Sequence, residues 1–138
     1  LKSGDRENVF GGVGMSTDAS VGYDHYDDFT LPRFMEYVEL NHGRKIFGMT
    51  YTKDIIPTRE DHTWEFTIDS NLDGLTEMNW DNSYFGSNEK ALVLWDEEEQ
   101  LAINMRTANS YSFKQHIGKK FPEHNCRNQQ QQCPELLR

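Results

Sequence analysis

The chain has 138 residues, of which 23 are acidic and 14 are basic, so its formal net charge is −9. A chain of this length forms one domain, which buries roughly two thirds of the surface that the unfolded chain exposes. The chain contains no run of about 18 apolar residues, which excludes a membrane-spanning helix. The sequence pI near 4.9 argues against nucleic acid or an anionic membrane as a partner, because both bind clustered positive charge.

Residues 1–33 differ in composition from the rest of the chain, because they are rich in glycine and aspartate. Glycine accepts backbone dihedrals that other residues avoid, and aspartate bonds its own backbone in turns. We predict that these residues form a long loop segment that packs on the domain, and a long ordered loop usually has a function. The residues concerned are Gly4, Gly11, Gly12, Gly14, Gly22, Asp5, Asp18, Asp24, Asp27 and Asp28.

Residues 34–122 alternate between apolar and polar side chains, which predicts strands separated by turns. The clearest strand is 63–68, in which Trp64, Phe66 and Ile68 share one face. Asp73 and Gly74 then give a strong hairpin signal, and 75–80 alternates as the next strand. Further strands are predicted at 35–40, 46–51, 91–95, 101–105 and 111–113.

About seven short strands with frequent turn signals predict an all-β fold, an immunoglobulin-like or jelly-roll-like β-sandwich. Residues 91–95 are apolar on both faces, which predicts a central strand covered on both sides. We expect the following side chains to be largely buried between the sheets: Trp64, Phe66, Trp80, Leu92, Leu94, Trp95 and Met105.

The chain ends in a segment rich in cysteine and glutamine, which we predict to be a C-terminal tail at residues 123–138. Cys126 and Cys133 are close enough in sequence to form a disulfide with the usual Cα separation of about 5.5 Å. In an oxidising compartment such a bridge would close a small loop. The alternative is a pair of free thiols in a polar tail.

Two groups of polar side chains have the composition of a calcium site, since calcium takes about six to eight oxygen ligands. The first group lies in the N-terminal segment and is our preferred site: Asp5, Asn8, Asp24 and Asp27. The second group follows the first half of an EF-hand pattern, with Trp80 where that loop needs a glutamate: Asp69, Asn71 and Asp73. The alternatives are a solvated acidic loop for the first group and a turn for the second.

A catalytic constellation is not evident in the sequence, because none of the five histidines lies in a nucleophile or metalloprotease motif. We therefore predict that the protein is not an enzyme. The best candidates for exposed ligand-binding aromatic residues are Tyr84 and Phe85, since no alternation explains them. Aromatic rings of this kind stack on sugar faces, so the alternative to a structural module is a carbohydrate-binding module.

Several short segments, taken in order, carry a resemblance to a known group of proteins. They are DRENVFG at 5–11, YDHYD at 23–27, YTKDI at 51–55, WEF at 64–66, MNWD at 78–81, LVLWD at 92–96, INMR at 103–106 and YSF at 111–113. With them the chain resembles a β-sandwich module of large secreted and cell-surface proteins of Bacteroidetes and related bacteria. That module commonly lies just upstream of a type IX secretion sorting domain.

The resemblance implies an immunoglobulin-like architecture and an accessory role without catalysis. It also implies a basic turn and a final apolar strand after Phe113, whereas here Lys119 and Lys120 lead into Cys126 and the glutamine run. We expect a secreted or cell-surface module for adhesion, assembly or spacing, with other surface or secreted protein subunits as partners and calcium as a stabilising ion. A glycan is the partner under the alternative, and neither nucleic acid nor membrane insertion is expected.

Overall fold

The computed structural model describes residues 1–86 and 90–116, and the backbone of residues 124–127. Within these residues every regular element is a strand, apart from one 3-10 turn at Asn82–Tyr84. The predicted all-β class is therefore confirmed. The strands are β1 (Lys2–Ser3), β2 (Arg6–Glu7), β3 (Gly12–Ser16), β4 (Asp28–Phe29), β5 (Val38–Asn41), β6 (Lys45–Ile46), β7 (Met49–Pro57), β8 (Thr63–Ser70), β9 (Gly74–Asn79), β10 (Val93–Asp96), β11 (Leu101–Asn104), β12 (Ser110–Gln115) and β13 (His124–Arg127).

The strands form sheets that share one apolar core. The first sheet has the order β12-β9-β1-β2, the second β11-β10-β13-β8-β5, and the third β3-β7-β4 with β6 beside β7. Only β3 and β7 pair in parallel within the described chain. Packing of sheets on a common core is what a β-sandwich requires. The buried core residues are Val38, Leu40, Ile56, Trp64, Phe66, Ile68, Met78, Leu94, Met105 and Phe113.

Strand β8 has the predicted alternation. Trp64, Phe66 and Ile68 are buried, and the residues between them are more exposed. Its neighbours are β5 on one side and β13 on the other, so β8 lies inside the second sheet. The period-two pattern therefore identified both the strand and its inner face.

The turn after β8 does not close a hairpin, so the predicted pairing is wrong. Strand β9 pairs with β1 and β12, which means that the turn carries the chain from the second sheet to the first. The Asn71 side chain accepts a hydrogen bond from Tyr37 N–H and donates one to the Met35 carbonyl. An Asp-Gly pair marks where the chain reverses but does not determine which strands pair.

Residues 46–51 are not one strand, contrary to the prediction. A tight turn at Phe47 and Gly48 divides them between β6 and β7, which pair with Ile46 opposite Met49. Both turn residues have positive φ, 52° at Phe47 and 76° at Gly48, as a type I′ turn requires. Phenylalanine rarely adopts this conformation. The sequence therefore predicted a continuous strand here and not a turn.

The predicted N-terminal loop segment is wrong in part, because it contains β1 to β4. Strand β1 lies between β9 and β2, and β3 and β4 flank β7. A Cβ atom on Gly11 would lie only 2.9 Å from the Leu40 Cβ, so the chain there approaches β5 too closely for a side chain. A two-residue strand has no periodicity, and β1 and β4 also pair with strands that are distant in the sequence, β9 and β7.

Most of the predicted core residues are in the core. Trp64, Phe66, Leu94 and Met105 are buried, and Trp80 and Leu92 pack partly buried against them. Trp95 is the exception, because it is only partly buried and lies outside this cluster. On β10 the residues that face inward are Leu94 and Asp96, so the expectation of a strand buried on both faces is wrong.

The start of the predicted tail takes part in the second sheet, since β13 pairs with β8 and β10. Cys126 lies in this strand, and Cys133 lies outside the described residues. The disulfide therefore stays a prediction. The part of the chain that the structure describes contains no helix that could span a membrane.

Candidate functional site

A cavity of about 850 Å³ lies between the N-terminal segment, the core strands and the loop after β9, and it is partly open to solvent. Its volume is in the range of roughly 300–1,000 Å³ that is usual for small-molecule sites. Apolar side chains from different sheets form its wall, among them Trp64, Phe66, Met78, Leu94 and Met105. Methionine adapts its shape to a ligand more readily than branched residues do.

The loop after β9 forms one edge of the cavity and is held by Arg106. Its guanidinium donates hydrogen bonds to the carbonyls of Phe85 at 3.1 Å, Gly86 at 3.2 Å and Lys90 at 2.7 Å. The Trp80 indole N–H donates to the carbonyls of Met105 and Ala108, which fixes the start of the loop. The cavity edge is therefore tied to residues 105–108 by side-chain hydrogen bonds.

Tyr84 and Phe85, the two predicted ligand-binding aromatic residues, both line the cavity, and ligand binding by them stays a prediction. The Tyr84 side chain is 85% exposed, whereas Phe85 packs partly buried against the core. The Asp81 carboxylate accepts hydrogen bonds from the Ser83 backbone N–H and hydroxyl, which lower the Asp81 pKa and cap the 3-10 turn. The turn presents Tyr84 to solvent.

Two cationic side chains lie on the side of the cavity where the chain enters β8. Arg59, Trp64 and Lys90 line the cavity, and Lys90 Nζ donates to the Glu60 carbonyl at 2.5 Å. The His62 ring lies nearly perpendicular to the Trp64 ring, with 4.7 Å between centroids. Burial lowers the His62 pKa, and the positive charge of Arg59 lowers it further.

The first predicted calcium group is distributed over several turns. Asp5 is exposed, and the Asn8 side chain donates to the Val38 carbonyl and accepts from Phe10 N–H. Asp24 accepts hydrogen bonds from the backbone N–H groups of Ser20 and Tyr26, which lower its pKa. Asp27 is buried and accepts from the N–H groups of Asp24 and Ile55, which joins the segment to β7.

In the second predicted calcium group, Asp69 is bonded to other side chains of the same chain. Asp69 forms an ion pair with Arg33 and accepts hydrogen bonds from Asn41 and Thr67. Arg33 also pairs with the buried Glu39. Within the described residues, no three histidine, cysteine, aspartate or glutamate side chains lie close enough together to hold a metal. Calcium binding stays a prediction.

The acidic run after β10 forms a turn. The Asp96 carboxylate accepts hydrogen bonds from the backbone N–H groups of Glu98 and Glu99, and it also accepts from the Tyr111 hydroxyl at 2.7 Å. Burial and the neighbouring Asp96 carboxylate raise the Tyr111 pKa. These contacts connect β10 to β12 and leave Asp96 in a structural position.

An exposed apolar surface lies at the end of the third sheet, and sequence reasoning missed it. Phe47 is 84% exposed at the tip of the β6–β7 hairpin, and Met49 is exposed beside it. Thr30 bonds to Thr50 through backbone and hydroxyl groups, which brings the exposed Leu31 to the same end. We call Leu31, Phe47 and Met49 the tip patch. The signal in the sequence is Phe-Gly before a long strand.

Comparisons with protein-family models, with curated proteins and with solved structures find no match to this chain.

Proposed function

We propose that the protein is a non-catalytic, immunoglobulin-like module at a bacterial cell surface, which docks on another surface or secreted protein subunit through the tip patch. The observation that carries this proposal is Phe47, a large apolar side chain that is exposed on a strained backbone. An αL conformation costs a residue with a side chain about 1–2 kcal/mol. Such strain at an exposed aromatic residue favours a role in binding over a role in stability.

The surrounding charges and neighbours support docking of a protein. Single exposed apolar residues are ordinary, whereas adjacent ones on a rigid element mark interaction sites. Aromatic and methionine side chains are enriched at protein interfaces, and the patch contains one of each. Lys45 lies in the same hairpin, opposite Thr50, and adds a positive charge near the patch. The chain as a whole has a net charge of −9. The resemblance to modules of secreted proteins supports the location.

Retention of a partner from a bacterial envelope extract tests the proposal. We expect immobilised wild-type protein to retain one protein in a stoichiometric amount, and Phe47→Asn and Phe47→Ala to retain at least about tenfold less. Tyr84→Asn is the matched control, since Tyr84 is as exposed as Phe47 but lies at the cavity. Equal retention by Phe47→Asn and the wild type would contradict the proposal.

A carbohydrate-binding module is the second candidate, and the placement of Tyr84 and Phe85 at the cavity edge favours it. Under this candidate Tyr84 would stack on a sugar ring at the entrance. Binding to a glycan array should then be lost in Tyr84→Asn and kept in Phe47→Asn. Binding that is independent of both residues would remove this candidate.

A further inference from the structure

Strand β3 has one edge that no other strand covers within the described part of the chain. The strand pairs with β7 in parallel, with Val13 opposite Asp54 and Gly14 opposite Ile55. Its other edge is the end of the third sheet, in which the strand order is β3-β7-β4. An edge strand carries a row of main-chain N–H and C=O groups on which another strand can pair. We call this side of β3 the uncovered edge.

Strand β7 bonds to β3 through one alternate set of its residues. The Ile55 N–H donates to the Asp27 carboxylate, and Asp27 directly precedes β4. The main-chain groups of Ile55 therefore point to the β4 side of β7. Neighbouring residues of a strand point their main-chain groups in opposite directions, so the N–H and C=O of Asp54 point to β3.

This register identifies the main-chain groups that lie along the uncovered edge. In a parallel pair, a residue bonds to the two residues that flank its partner, so Asp54 bonds to Gly12 and Gly14. Val13 and Met15 therefore direct their N–H and C=O groups away from β7. Nothing among the described residues bonds to these groups. Both residues are half-buried, and main-chain groups in such positions normally have partners.

The uncovered edge runs along the cavity of about 850 Å³. Residues 11–15 all line this cavity, whereas of the residues of β7 only Ile55 does. The cavity therefore lies on the side of β3 that is away from β7. The side chains of Val13 and Met15 pack partly buried against the core, so this face of β3 is turned to the interior.

The cavity wall offers both apolar and polar side chains that a ligand can reach. Trp80, Phe85 and Leu92 line the cavity and are only partly buried. Thr58 and Asn79 line it too, and both are exposed. An extended peptide suits this mixed wall, because its main chain is polar and its side chains alternate between two faces.

A cation lies near one end of the uncovered edge. Ser16 pairs with Pro57, and Arg59 follows Pro57 by two residues, so Arg59 comes after the end of the strand pair at Ser16. Arg59 is exposed, lines the cavity and forms no ion pair with other described residues. An acidic residue at this end of a bound peptide would be complementary in charge.

We propose that the uncovered edge binds an extended peptide segment of a partner protein as an added antiparallel strand. Main-chain hydrogen bonds to Val13 and Met15 supply the affinity, as in other cases of strand addition. Peptide residues opposite Val13 and Met15 place apolar side chains in the cavity, and an acidic residue opposite Ser16 faces Arg59. Antiparallel pairing is slightly more stable per residue than parallel pairing. The proposal is independent of docking through the tip patch.

A short fluorescent peptide tests the proposal on the full chain by fluorescence anisotropy. The probe is acetyl-Glu-Val-Thr-Val-Thr with fluorescein at its C-terminus, so that its valines lie opposite Met15 and Val13. We expect one saturable site per chain. N-methylation of both valines removes the N–H groups that face β3 and should weaken binding at least about tenfold. N-methylation of both threonines, whose N–H groups face away, is the matched control and should change the affinity less than about twofold.

Variants of the protein then assign the site. Val13→Pro removes the outward N–H but not the bonds to β7, and it should weaken binding at least about fivefold. Val13→Ala keeps the N–H and should weaken it less than about twofold. Arg59→Gln should weaken the probe about threefold, and should not affect a peptide with glutamine in place of its glutamate. Phe47→Asn in the tip patch should bind as the wild type does.

Amide hydrogen exchange shows what covers the edge before the probe is added. In the free monomer the N–H groups of Val13 and Met15 should exchange faster than that of Gly14, and the probe should protect them. Protection in the free monomer would overturn the proposal, because the chain itself would then cover the edge. Protection that rises with protein concentration would overturn it in favour of a second copy.

The methylated peptides keep the proposal testable if Val13→Pro does not fold, which its thermal melt shows. Absence of a saturable site for the probe would overturn the proposal. Equal affinities of the peptide methylated at the valines and the peptide methylated at the threonines would overturn it too, because binding would then not depend on main-chain pairing with β3.

Discussion

At the scale of single residues, Phe47 gives the most direct test of stored strain. Phe47→Asn should raise the free energy of unfolding by about 1 kcal/mol, because asparagine tolerates αL and Asn-Gly is the favoured type I′ pair. Phe47→Ala keeps the unfavourable φ and should not stabilise. Urea denaturation checks both variants. A loss of stability in Phe47→Asn would mean that the ring contributes to the fold.

Trp64 tests the assignment of the inner face of β8. Trp64→Ala should lower the free energy of unfolding by about 3–5 kcal/mol, as truncation of a buried aromatic residue does in other cores. The side chain is buried with Phe66 and Ile68 on one face of the strand. A change below about 1 kcal/mol in chemical denaturation would place Trp64 outside the core.

His42 makes stability depend on pH. Its ring is buried and its Nε2 lies 3.0 Å from the Gly12 carbonyl, so Nε2 carries the proton that is donated. Burial lowers the His42 pKa below its ordinary value of 6.5. The unfolded chain therefore takes up a proton first as the pH falls, and stability is lost from pH 6.5 downward through the lowered pKa.

The comparison with His42→Gln isolates this contribution, because glutamine also donates a hydrogen bond but does not titrate. Urea midpoints at pH 7.5 and pH 5.0 should differ more in the wild type than in the variant. His62, whose pKa is lowered as well, remains in both proteins and adds the same pH dependence to each. Identical pH dependence in the two proteins would show that His42 does not contribute.

At the scale of elements, Gln115 connects the first and second sheets. Its side chain is buried, accepts a hydrogen bond from the Thr76 hydroxyl and donates one to the Ile68 carbonyl at 2.9 Å. Gln115→Leu should cost about 1–3 kcal/mol, because it removes the partner of two buried polar groups. Lys114→Leu, on the exposed face of β12, should cost less than about 0.5 kcal/mol. Equal effects on thermal denaturation would contradict the cross-sheet role.

The strands show that the sequence pattern predicts strand bounds but not strand pairing. Strands β8 and β9 alternate strictly, because each has one buried face, and they were predicted close to their observed bounds. Their pairing was not, since β9 lies beside β1 and β12, strands distant in sequence. The turn at Phe47 and Gly48 was missed because a phenylalanine with positive φ has no propensity signal.

The cavity was predictable only in part. The aromatic residues Tyr84 and Phe85 have no alternation to explain them, which is why we expected both to be exposed. Tyr84 is exposed, whereas Phe85 is partly buried against the core. Lys90 gave no such signal, because the hydrogen bond that it donates to the Glu60 carbonyl joins positions 30 residues apart in the sequence. The burial of the Trp64 indole N–H without a hydrogen-bond partner among the described residues depends on packing, which a sequence pattern does not contain.

At the scale of the whole molecule, the N-terminal segment belongs to the fold. Asn8 and Asp27 bond to β5 and β7, and β1 pairs with β9. Calcium would add to this order if the predicted group of Asp5, Asn8, Asp24 and Asp27 binds it. At a calcium concentration a hundredfold above Kd, one site should raise stability by about 2.7 kcal/mol.

Thermal unfolding in calcium and in chelator measures this effect. A higher Tm in calcium that is lost in Asp24→Asn would support the predicted site. Identical thermal transitions, together with no metal in elemental analysis, would contradict calcium binding. The backbone hydrogen bonds of Asp24 and Asp27 would then account for the order of the N-terminal segment.

The claim that the protein docks on another protein subunit through the tip patch is tested by photocrosslinking at position 47. With benzoylphenylalanine in place of Phe47, irradiation in an envelope extract should yield one dominant crosslinked protein, and excess wild-type protein should suppress the product. Excess Phe47→Asn should not suppress it, whereas excess Tyr84→Asn should. A product suppressed equally by Phe47→Asn, or no product at position 47 beside a strong one at position 84, would contradict the claim.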